Sequence, residues 1–139
     1  MELSLINQIK NKKNHIVLPL NYELEKNLQN KNIQTISEKD ILDFEDYFLI
    51  DELTLKLSRG WYDEQINEKL YYDDVDISKL LSNEIYQIFL RIIHKIILLE
   101  KLIKKINPKI IKINNFDNIL NEISIEICKY NKIEIEIIN

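Results

Sequence analysis

The sequence has little of what lets a backbone turn sharply or approach a ligand closely. Its 139 residues include one glycine, Gly60, two prolines, Pro19 and Pro108, and no alanine. Gly-rich phosphate loops need several glycines and are excluded. One cysteine, Cys128, excludes a disulfide framework and a Cys-built zinc site. Two histidines, His15 and His94, exclude a His-rich metal site. Residues 1–13 hold only Leu3, Leu5, Ile6 and Ile9 as apolar positions, too few for a secretory core. The most apolar stretch, residues 85–106, is interrupted by Arg91, His94, Lys95, Glu100 and Lys101, so it reads as a buried helix and not as a membrane span. The expectation is a cytoplasmic chain, at most peripheral to the inner face of the membrane, with a reduced thiol.

What is present is enough to fold. Apolar residues make up 45% and charged residues 30%, which places the chain among globular domains. Isoleucine reaches 28 and asparagine 16, a bias of composition without functional content. The formal charge of −4 is unevenly spread. Residues 37–76 carry 13 acids against 4 bases, and residues 77–112 carry 8 bases against 2 acids. Such runs are ordinarily solvated helix faces. Only two of the 19 bases are arginine, Arg59 and Arg91, and aromatics do not interleave with them, which argues against a nucleic-acid partner.

Periodicity predicts alternating elements. Residues 15–20 (HIVLPL) read as a first strand. Asn21 caps a short helix carrying Leu24 and Leu28, and residues 33–36 (IQTI) read as a second strand. Ser37 with Asp40 is a variant of the capping box and opens a longer helix with Ile41, Phe44, Phe48 and Leu55 on one stripe, ending at Gly60. Residues 61–76 lack a clean period and read as a loop or broken helix. A second long helix follows from Asp76 or Ser78, with isoleucines at threes and fours from Ile85 to Ile106, and Asn107-Pro108 stops it. Residues 109–114 form a third strand. Asn115 caps a helix whose apolar face is Phe116, Ile119, Leu120, Ile123, Ile127 and Tyr130, and residues 133–138 (IEIEII) form a fourth strand. The predicted fold class is α/β: one domain over residues 1–139, a small Rossmann-like, mainly parallel sheet of about four strands with helices on both faces and two long helices between strands 2 and 3.

Ligands of such sheets bind beyond the carboxyl ends of the strands. Asn21, Tyr22, Asn114 and Asn115 lie there, and Trp61 and Tyr62 in the irregular middle segment offer aromatic surface for stacking on a sugar, so these six are the candidate acceptor-binding residues; helix capping is the commoner role of such asparagines, and packing that of the aromatics. Asp74-Val75-Asp76 spells a D-x-D triplet that could hold a divalent metal, but Asp76 is better placed as a cap, and no metal or cofactor is expected. His94 reads as an exposed histidine and Cys128 as a small buried apolar residue. No nucleophile–base pair can be argued, so catalytic residues stay unassigned.

The order of residues 33–62, ending in LSRGWY, then Tyr71-Tyr72, the Ile-rich helix and the NPKIIKI strand entry, resembles the N-terminal domain of two-domain (GT-B type) transferases of surface or capsular polysaccharide synthesis, among them relatives of the CDP-glycerol glycerophosphotransferases. The resemblance covers residues 14–139. It implies a truncated domain, the acceptor-side N-terminal half of a larger enzyme, inactive alone, with a carbohydrate or glycolipid acceptor and a second transferase domain or further copies as partners. The alternative is a noncatalytic α/β protein-interaction module.

Overall fold

The computed structural model describes residues 16–18, 22–60, 71–114 and 118–138. They are about 67% helical. The elements are α1 (Tyr22–Gln29), α2 (Glu38–Ile41), α3 (Phe44–Gly60), β1 (Tyr71–Tyr72), β2 (Val75–Asp76), α4 (Ile77–Ile106), β3 (Ile110–Asn114), α5 (Asn118–Tyr130) and β4 (Glu134–Ile138). The chain divides into two compact units, residues 1–43 and 44–139.

The expected Rossmann-like sheet of about four strands does not form. Among the described residues there are two two-stranded sheets, an antiparallel β1–β2 and a parallel β3–β4. Residues 15–20 and 33–36, expected as two strands, give a single parallel bridge between Val17 and Thr35. Its bonds run from Val17 N–H to Gln34 O (3.0 Å) and from Ile36 N–H to Val17 O (2.9 Å). The physical reason is where the apolar residues went. The 30-residue α4 and 17-residue α3 take up much of the apolar sequence, and the extended segments that remain pair only two at a time.

In the first unit, α1 leads from Val17 to Thr35, and Leu28 and Ile33 form a small core with Val17 against it. In α2, the Asp40 carboxylate accepts from the Ser37 N–H (2.9 Å) and hydroxyl (2.8 Å), which fixes the helix start. Leu42 then turns extended, so the helix expected to run from Ser37 to Gly60 is broken before α3.

In the second unit, α4 is the central element, and α3 and α5 both pack on it. Residues 71–76, expected within a loop or broken helix, form a hairpin. Its two turn residues, Asp73 (φ 47°) and Asp74 (φ 65°), are both left-handed, as a two-residue primed turn requires. The α4 helix ends as the sequence signals: Asn107 is left-handed (φ 48°) and its N–H reaches Ile103 O at 2.8 Å, ahead of Pro108. β3 then runs parallel to β4 through α5, pairing Ile110 with Glu134 and Lys112 with Glu136. Lys112 and Glu136 also join as an ion pair on the outer face. On the inner face, Ile111, Ile113 and Ile135 close over Cys128 and Ile127 of α5 and Ile103 of α4.

One cap ends both α1 and α5. After α1, Ile33 N–H reaches back to Leu28 O (3.1 Å) and Asn32 N–H to Gln29 O (2.9 Å), with Asn32 left-handed at φ 55°. After α5, Ile133 N–H reaches Cys128 O (2.8 Å) and Lys132 N–H reaches Lys129 O (3.0 Å), with Lys132 at φ 57°. This is a Schellman cap, usually closed by glycine; here asparagine and lysine take glycine's place.

Candidate interaction surface

The helices packed on α4 turn their small and polar side chains inward. On α3 the buried residues are Asp46, Ile50, Thr54 and Ser58, spaced four apart along one stripe. On α5 they are Asn121, Ser124 and Cys128. Among the described residues, Thr54, Ser124 and Cys128 are the largest side chains to be fully buried. Thr54 donates to Ile50 O (2.6 Å) and Ser124 to Leu120 O (2.7 Å), so each hydroxyl is satisfied within its own helix. Asp46, only 4% exposed, accepts a 2.7 Å ion pair from Lys101 of α4. This arrangement follows from the bulk of α4. Its Ile93, Ile97, Leu98, Leu99 and Ile103 are buried and fill the interior, so the helices that pack on it need small residues to come close.

The expected apolar faces are therefore rotated. Phe44 and Phe48, assigned to the core stripe with Ile41 and Leu55, stand 84% and 66% exposed. Ile41 belongs to α2, and the extended Leu42 between the two helices breaks the phase on which that stripe rested. On α5, Ile119 and Tyr130 are exposed while Asn121, Ser124 and Cys128 go in. At 100° per residue, Phe44 and Phe48 share the outer side of α3 with Asp51 and Glu52, and Glu45 and Tyr47 lie on either side of Phe44. Glu45, Asp51, Glu52 and Tyr47 are all exposed. Tyr86 of α4 donates its hydroxyl to Asp51 at 2.7 Å, and that bond to a carboxylate raises the Tyr86 pKa.

The six acceptor-binding candidates fall mostly outside what the structure describes. Asn21, Trp61, Tyr62 and Asn115 lie outside the described residues. Tyr22 is the first residue of α1, and Asn114 is the last of β3, in register with Ile138; the side chains of both lie outside the description. Asp74 sits in the hairpin turn and Asp76 on β2, and among the described residues no group of three His, Cys, Asp or Glu could hold a metal ion. Among these residues, too, no helix is long and apolar enough to cross a membrane. Cys128 is buried, and burial pushes its thiol pKa up although nearby Lys95 works against it. Burial in turn pushes the Lys95 ammonium below its ordinary range, with Cys128 opposing.

The outward aromatics of α3 are what sequence reasoning missed. The available signal was the spacing of Asp46, Thr54 and Ser58, which marks a second, small-residue face on the same helix. Comparison with known proteins gives no match to a family model, a curated protein or a solved structure.

Proposed function

We propose that this chain is a noncatalytic protein-interaction module whose contact surface is the outward side of α3. The observation that supports it is the inversion of that helix: Asp46, Thr54 and Ser58 face in, while Phe44 and Phe48 face solvent. Single exposed apolar residues are ordinary, but paired phenylalanines one turn apart, with Tyr47 beside them, form a patch of the kind that marks contact sites. Aromatic side chains are enriched at interface centres, and fully burying each phenylalanine is worth about 1.5–3 kcal/mol. The acceptor-side transferase reading drew on a Rossmann-like sheet and loses that support.

The test is capture from a lysate on immobilised wild-type chain and on a Phe44→Asp/Phe48→Asp variant, followed by identification of the retained protein and reconstitution from purified components. A purified partner should bind the wild type at least about tenfold more tightly than the variant. A partner that binds both equally, or tight binding of a sugar nucleotide to the wild type, would overturn the reading.

A further inference from the structure

Resting on that reading, we infer that the α3 surface takes an amphipathic helix of a partner with basic residues flanking its apolar stripe. The chemistry of the rim carries this. Residues 43–55 contain five acids, Asp43, Glu45, Asp46, Asp51 and Glu52, and no base. Asp46 is turned inward to Lys101. Glu45, Asp51 and Glu52 are exposed on the turns of α3 that carry Phe44 and Phe48, and Asp51 also accepts the Tyr86 hydroxyl. The only bases on α3, Lys56 and Arg59, lie in its C-terminal part. The surface is thus an apolar centre within an acidic rim, on a rigid helix about 25 Å long.

A helix laid along this surface offers apolar anchors at i, i+3, i+4 and i+7, and it places its flanks over the rim. Lysine or arginine there meets Glu45, Asp51 and Glu52 with opposite charge. Phosphate-rich surfaces, whether nucleic acid or anionic lipid, are repelled by the same rim. A second copy of this chain is disfavoured as well. Antiparallel pairing centred on Phe48 sets Glu45 beside the copy's Asp51, like charge against like.

The experiment titrates the full chain with two synthetic four-turn helices. They share one leucine stripe and differ only in carrying lysine or glutamate on the flanks. The lysine peptide should bind at least about tenfold more tightly than the glutamate peptide. Phe44→Ala/Phe48→Ala should weaken it by about tenfold or more, and Glu45→Gln/Asp51→Asn/Glu52→Gln should weaken it and flatten its salt dependence. Equal binding of the two peptides, binding indifferent to the phenylalanine pair, or concentration-dependent dimerisation abolished by Phe48→Glu would overturn the inference. So would a melting temperature that falls by more than about 5 °C in Phe48→Glu, since an exposed residue tolerates that change and a covered one does not. If a reconstituted partner needs Phe44 and Phe48 while the lysine peptide does not bind, the inference fails and the module reading stands. If that partner ignores both phenylalanines, the module reading fails.

Discussion

Replacing Lys132 by glycine should stabilise the protein, although the change deletes a side chain. Lys132 closes α5 in a left-handed conformation, φ 57°, held by the Ile133 N–H bond to Cys128 O and its own N–H bond to Lys129 O. A residue with a Cβ adopts that conformation at a cost of about 1–2 kcal/mol. Glycine removes this cost but returns about 0.4–1 kcal/mol through its greater freedom in the unfolded chain. The net gain is about 0.5–1 kcal/mol, or about 2–4 °C in Tm for a chain of this size. The control is Glu122→Gly, exposed in the interior of α5, which should cost about 1 kcal/mol by propensity. Thermal unfolding by circular dichroism reads both. The two glycines should move Tm in opposite directions. A Lys132→Gly variant that melts at or below wild type would refute the cap as described.

Two further outcomes follow from the interior. Lys101→Met removes the ammonium that meets the buried Asp46 carboxylate at 2.7 Å, and urea unfolding should show a loss of about 1–3 kcal/mol. Asp46→Leu/Lys101→Met should recover most of it, whereas a single-variant loss below about 0.5 kcal/mol would mean the pair contributes no more than an exposed one. Lys95 has its pKa depressed by burial, so the charged form is penalised in the folded state at neutral pH. Lys95→Met should therefore raise Tm at neutral pH. Because the unfolded chain holds the lysine proton up to about 10.5 and the folded chain releases it earlier, the wild type gains stability across that interval and the advantage of Lys95→Met shrinks. An advantage that stays constant as pH rises through it would contradict the burial of Lys95.

Punctuation was legible in the sequence, and packing was not. Ser37 with Asp40, Asn107 before Pro108, and the segments that became β3 and β4 were placed by local chemistry that acts within a few residues. The hairpin at residues 71–76 was missed because its turn is Asp73-Asp74, without the glycine or asparagine that announces such a turn. Parts of the α3 and α5 faces were misjudged for one shared reason, although Ile127 does pack inward and Cys128 is buried as expected. Bulky residues were assigned inward, but α4 already supplies the bulk, and the space left beside it admits threonine, serine and cysteine. The wide sheet failed for a different reason: the segments around Val17 and Thr35 meet in one bridge, and β3 and β4 pair only with each other, so the four extended segments share no common ladder. Of the candidate site, Asn21, Tyr22, Asn114 and Asn115 came from strand ends of that sheet and Trp61 and Tyr62 from the irregular segment after α3, while Phe44 and Phe48 were counted as interior and so were never considered as contact residues.

The position of Lys101 on α4 has a mechanical consequence. Two residues further along the same helix, Ile103 closes the apolar interior beneath β3. One turn of α4 thus anchors the first turn of α3 by charge on one side and seats the parallel strand pair by oil on the other. The same stretch of α4 is therefore the common footing of α3 and of the strand pair.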